Sequence, residues 1–137
     1  MLSVRLAAAL RDAGLGWKPV RGDRFVLPDR DMDDEIFVLS DMTVELHELP
    51  EGQVIGFNGT TEWALDDVHK DEVLWLPRED QLRGLLGRTF QRLDRVDGQY
   101  RVVATIGGDV TEVRAADPEE AYGEALLRLI AYASAGL

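Results

Sequence analysis

The sequence predicts an α+β fold: a mostly antiparallel β-sheet of about five or six strands with three or four packed helices, a single-domain sandwich spanning residues 1–137. Three observations predict it. Apolar residues recur at helical spacing at both ends of the chain and again after Pro77. Between these stretches lie short apolar or alternating runs of strand length, joined by tight turns such as Pro50-Glu51-Gly52 and Gly107-Gly108, which make antiparallel neighbours. The 137-residue length suits one domain, since domains commonly run ~100–150 residues.

The first element is an amphipathic helix capped by Ser3, with Leu6, Leu10 and Ala13 along one face and Gly14 and Gly16 as its stop. Phe25-Val26-Leu27 before Pro28 reads as a short strand. Ile36 to Leu39 is a continuous apolar run, the pattern of a buried strand. Met42, Val44, Leu46 and Leu49 alternate in part with Thr43, Glu45 and His47, giving a strand wet on one face. Gln53 to Phe57 returns beside it and ends at Asn58-Gly59. Thr60 or Thr61 then caps a helical turn that packs through Trp63, Ala64 and Leu65.

Trp75-Leu76-Pro77 reads as an apolar link into a helix over 78–95. Glu79 and Asp80 suit its first turn, and Leu82, Leu85, Leu86, Phe90 and Leu93 recur at helical spacing. Tyr100, Val102 and Ala104 begin a hairpin that turns at Gly107-Gly108 and returns over 109–115. The last helix opens on three agreeing signals: Asp117 as N-cap, Pro118 at the first helical position, and Glu120 placed for the reciprocal capping contact. Ala121, Tyr122, Ala125, Leu126 and Leu129 form its buried stripe.

Composition narrows the function. With 26 Asp+Glu against 15 Lys+Arg the formal net charge is −11, which argues against non-specific binding to nucleic acid or anionic membranes. The absence of cysteine excludes disulfide scaffolds, zinc–thiolate sites, iron–sulfur clusters and cysteine catalysis. Arg5, Arg11 and Asp12 interrupt the N-terminal stretch where a secretory signal needs unbroken apolar residues. No apolar run approaches the ~20 residues of a membrane span, so the expected location is cytoplasmic. The acidity is concentrated in residues 29–51, which hold nine acidic residues and one arginine.

The candidate chemistry is sparse. Asp29, Asp31 and Asp33 follow the first three ligand positions of a calcium loop. The pattern fails at Asp34, where glycine is needed, and at Ser40, where glutamate is needed, so a hydrated acidic loop and no metal is the reading. Gly56 to Thr61 matches neither GxxxxGK[ST] nor GxGxxG and reads as a turn and helix cap. His47 and His69 lack the ligand or base spacing of a metal or hydrolytic site, and no cofactor is expected. In the helix over 78–95, Arg88, Arg92 and Arg95 share one face at steps of four and three, a basic face that pairs with Asp94 and Asp97 or receives an acidic group. Of Trp17, Trp63 and Trp75, at least two belong to the core.

Five segments carry a resemblance that would cover nearly the whole chain. They are Gly-Asp-Arg-Phe at 22–25, Ser-Asp-Met-Thr-Val at 40–44, Phe-Asn-Gly-Thr at 57–60, Glu-Trp-Ala-Leu at 62–65 and Leu-Pro-Arg-Glu-Asp-Gln-Leu at 76–82. In this succession the chain resembles a family of short bacterial proteins commonly labelled pilus-assembly proteins. The resemblance implies a protein of this size in a cytoplasmic setting. It implies no ATPase role and no catalytic residues, since the chain has no phosphate-binding loop with a lysine.

Together these readings point to a non-enzymatic binding or adaptor module, able to form a homodimer. Its contact surface combines Asp31, Asp33, Asp34 and Asp41 with Asn58, Thr60, Trp63 and Trp75. The alternative is an inhibitor or immunity-type protein that neutralises a basic partner through the acidic 29–51 segment, with strongly salt-dependent binding. In either case the partner is a protein or a second copy of the chain.

Overall fold

The Ser3 hydroxyl accepts the N–H of Leu6 at 3.2 Å, and the first helix starts there, as its capping residue dictates. The computed structural model describes residues 1–28, 35–39, 45–49, 52–56, 67–69 and 73–135, the three segments 45–49, 52–56 and 67–69 by backbone alone. In chain order these residues form α1 (Val4–Asp12), β1 (Arg24–Val26), β2 (Phe37–Val38), β3 (Glu45–Leu49), β4 (Gly52–Gly56), β5 (Asp67–His69) and β6 (Leu74–Leu76). Then come α2 (Glu79–Leu86), a 3-10 turn (Gly87–Thr89), β7 (Phe90–Val96), β8 (Gln99–Ile106), β9 (Asp109–Ala115) and α3 (Pro118–Ala135). The class is α+β, with antiparallel pairing and, among the described residues, three α-helices. The strands number nine among the described residues, in three sheets of three, against the five or six expected.

The contacts gather into two units: Met1–Gly16 with Leu76–Leu137, and Trp17–Trp75. In the first, β7, β8 and β9 form an antiparallel meander closed by two turns of the same kind. Asp97-Gly98 (φ 52° and 79°) and Gly107-Gly108 (φ 60° and 84°) each place two successive residues at positive φ, the geometry of a two-residue hairpin turn. Helix α3 covers β8 and β9, where Val102, Ala104, Ile106 and Val113 are buried. The opposite face is charged. Arg101 grips Asp94 with two bonds of 2.6 and 2.8 Å and reaches Glu112 at 3.3 Å.

The N-termini of α1 and α3 share carboxylates. Asp117 caps α3 by accepting the Glu119 N–H at 2.8 Å, as expected. Glu120, expected to reach back to the Asp117 backbone, accepts the N–H of Ser3 at 2.6 Å, so it joins the start of α1 to α3. The amino group of Met1 sits 2.8 Å from Asp117 and 3.4 Å from Glu119. Burial pushes the Asp117 carboxyl up, but the bond from that amino group and the N–H of Glu119 outweigh it and hold the carboxyl low.

In the second unit the sheet order is β2-β1-β6, and Trp17, Phe25, Leu27, Leu39 and Val73 form an apolar core with Phe37 and Trp75 packed against them. Asp23, buried within this unit, takes the Trp17 indole N–H at 2.8 Å and the Val20 N–H at 3.0 Å on one oxygen. The β3-β4-β5 sheet is antiparallel, with Leu49 opposite Gly52.

Three expectations are corrected. The continuous run at 36–39 is not a buried strand: β2 lies at a sheet edge and alternates, leaving Ile36 and Val38 exposed (42% and 60%) while Leu39 is buried. Trp75-Leu76 is not a link but part of strand β6. The helix over 78–95 ends at Leu86, because Gly87 takes φ 57° and the Asp97-Gly98 turn pulls 90–96 into the meander. The expected turns at 50–51 and 58–59 and the helix at 60–65 fall outside the described residues.

Candidate functional site

Pro77 leads into α2, which starts with Gln81 Oε1 accepting the Arg78 N–H at 2.9 Å and with Glu79 and Asp80 in its first turn. Helices α2 and α3 pack together, and a cleft of about 430 Å³ opens on them, lined by Glu79, Asp80, Arg83 and Tyr122. That volume lies in the range of small-ligand and side-chain pockets, roughly 300–1,000 Å³.

Each wall is held by its own neighbours. Arg78 bonds Asp80 at 3.1 Å and holds its carboxyl below the usual range. The Arg83 guanidinium lies over the Phe90 ring, 4.7 Å from its centroid, a cation–π contact that fixes a long side chain. Phe90 in turn meets Tyr122 at 5.6 Å between centroids, tilted by 34°. Tyr122 is 1% exposed; burial raises its pKa, the Glu79 charge raises it further, and Arg83 opposes. The phenol therefore stays protonated well above neutral pH and lies within electrostatic reach of two other walls of the cleft.

Chemically this is a set of recognition groups. Two carboxylates attract a cation, the phenol offers both a donor and an acceptor, and the guanidinium supplies a fixed positive rim. Sequence reading placed Tyr122 in a buried stripe and Glu79 and Asp80 in a helix first turn. The convergence was missed because it depends on how α2 and α3 pack, for which the sequence carries no local signal.

Of the expected contact surface, Asp31, Asp33, Asp34, Asp41, Asn58, Thr60 and Trp63 lie outside the described residues. Trp75 is described: it stacks on Trp17 with centroids 6.2 Å apart and planes at 10°, packed against the core of the second unit. Its buried indole N–H has no hydrogen-bond partner among the described residues.

The basic helix face is corrected. Arg88 sits in the 3-10 turn, while Arg92 and Arg95 are three apart on strand β7 and so point to opposite faces. Arg92 pairs with Asp94 at 3.3 Å, and Arg95 lies over the Tyr100 ring at 4.7 Å. The backbone also brings the two histidines, far apart in sequence, into one cross-strand row, His47 opposite Val54 and Val54 opposite His69.

Among the described residues no helix is long and apolar enough to cross a membrane. Comparison with known proteins adds no relative: no family model, no curated protein and no solved structure matches the chain.

Proposed function

We propose that this chain is a non-enzymatic binding module whose partner is a basic segment of another protein. The observation that carries the reading is the cleft on α2 and α3. There Glu79 and Asp80 stand beside a buried tyrosine. A lysine or arginine side chain suits the Glu79 side of such a site: its charge meets that carboxylate, with Asp80 shared with Arg78 at 3.1 Å, and its last donor meets the phenol oxygen. The net charge of −11 supplies long-range attraction for the same kind of partner and makes association sensitive to salt.

The test is an amide-shift titration of the ¹⁵N-labelled chain with a lysine-rich peptide, with a glutamate-rich peptide as control. Shifts concentrated on the first turn of α2 and around Tyr122, weakened by salt and lost in the E79Q/D80N double variant, support the reading. Equal responses to both peptides, or shifts that survive the double variant, reject it.

A further inference from the structure

Strand β9 has one hydrogen-bonded neighbour among the described residues, β8, and lies at the edge of its sheet. The opposite edge, β7, is interrupted by a bulge between Phe90 and Arg92, a device that blunts edge pairing. No such irregularity marks β9, whose register with β8 runs unbroken from Ile106↔Asp109 to Tyr100↔Ala115.

The turn at Gly107-Gly108 determines which backbone groups of β9 face outward. In a two-residue hairpin the closing pair, here Ile106 and Asp109, exchanges both hydrogen bonds, and bonded pairs then alternate along the ladder. Asp109, Thr111, Val113 and Ala115 thus turn their N–H and C=O groups to β8. Val110, Glu112 and Arg114 turn theirs away from it. These same residues are open to solvent: Val110 is 69% exposed, and the side chains of Glu112 and Arg114 are 47% and 40% exposed.

We propose that this edge pairs with the β9 edge of a second copy of the chain, antiparallel about a two-fold axis through Val113. In that register Glu112 of each copy stands opposite Arg114 of the other, both as hydrogen-bonded pairs, so the outward backbone groups and the opposite charges are matched together. Registers centred on Glu112 or on Arg114 put like charges directly opposite, which destabilises a strand pair. The charge order of the strand therefore selects both the partner and the register. The helices agree. α3 packs over β8 and β9, so with strands ~4.8 Å apart the two copies of α3 come to roughly 10 Å, the distance at which helices pack. The helix carries apolar residues for such a contact, since its stretch 125–133 holds a single charge, Arg128, and Tyr132 is 57% exposed. This pairing is independent of the cleft on α2 and α3.

The experiment measures mass in solution by sedimentation equilibrium on the full chain, with hydrogen exchange on the same sample. A dimer is expected, with the amides of Glu112 and Arg114 exchanging at least tenfold more slowly when concentrated than when dilute. R114E should give a monomer, and the exchanged pair E112R/R114E should restore the dimer. Should R114E fail to fold, as judged by circular dichroism, E112K makes the same disruption from the other side. A native chain that stays monomeric when concentrated overturns the proposal, as does a dimer indifferent to both charge reversals.

Discussion

Gly123 of α3 lies directly beneath Leu6 of α1: a Cβ at that position would stand 2.7 Å from Leu6 Cδ2 and 2.8 Å from Leu2 Cδ1. Leu6 and Leu2 are buried, at 0% and 1% exposure, so neither has free space to retreat into. A glycine inside a helix costs about 1 kcal/mol relative to alanine, and here that cost is offset by the close approach of α1. Replacing Gly123 with valine is expected to destabilise the chain by about 2–3 kcal/mol through overpacking, read as a lower midpoint in urea unfolding.

A second glycine is constrained from two directions. Gly107 sits at φ 60° with the ring of Tyr132 against it; a Cβ would stand 2.5 Å from Tyr132 Cε2. Gly107→Ala is expected to cost about 1–2 kcal/mol, from the left-handed backbone and the displaced ring together. Pairing it with Tyr132→Ala separates the two: the double variant should recover the steric part and leave the backbone part, measured by thermal melts of all three variants.

The pH dependence of stability should carry the mark of Asp94. Hydrogen bonds from Arg101, then from Arg92, lower its carboxyl from 3.8 to about 2 in the folded chain. A carboxyl lowered on folding contributes stability that is full above its unfolded pKa and lost as pH falls through the folded one. The loss therefore falls between pH 3.8 and about 2. Asp94→Asn should flatten the stability profile in that window and leave its slope near neutral pH unchanged. The solvent exposure of the group keeps the effect small.

Asp23 and Trp75 should respond oppositely. Asp23→Ala strips the Trp17 indole and the Val20 amide of a shared acceptor, a loss of about 2–3 kcal/mol with a shift in tryptophan fluorescence. Trp75→Phe removes a buried donor that has no partner among the described residues while keeping a ring to stack on Trp17. It should be neutral within about 1 kcal/mol despite the smaller side chain, because a buried unpaired donor is itself a cost. Chemical denaturation of both variants decides the contrast.

What was legible in the sequence was local. The Ser3 and Asp117 caps and the Gly107-Gly108 turn are short-range chemistry, and each stands where its residues indicate. Strand β7 carries a helical spacing for a specific reason. Phe90 and Leu93 are three apart, a helical spacing, yet the bulge at 90–92 places both on the α3-facing side of the sheet, opposite Ala104 and Val102. The correcting signal was present in Asp97-Gly98, a strong hairpin dipeptide between the runs. The cleft was illegible because Glu79, Asp80 and Arg83 meet Tyr122 only through the packing of two helices far apart in sequence.

The split of the first unit around residues 17–75 sets an order of events during synthesis. Helix α1 leaves the ribosome before residues 17–75, yet the groups that hold it, Glu120 and the Gly123 notch, leave after them. The intervening unit is complete before them and is free to collapse on its own residues while α1 waits. Closing a loop of roughly 60 residues costs about 3–4 kcal/mol of chain entropy, less if that loop is already folded and brings its ends together. A permuted gene that places α1 after α3, through a flexible linker long enough to run back along the ~27 Å of that helix, would remove this closure, and the folding rate of the unit should rise accordingly.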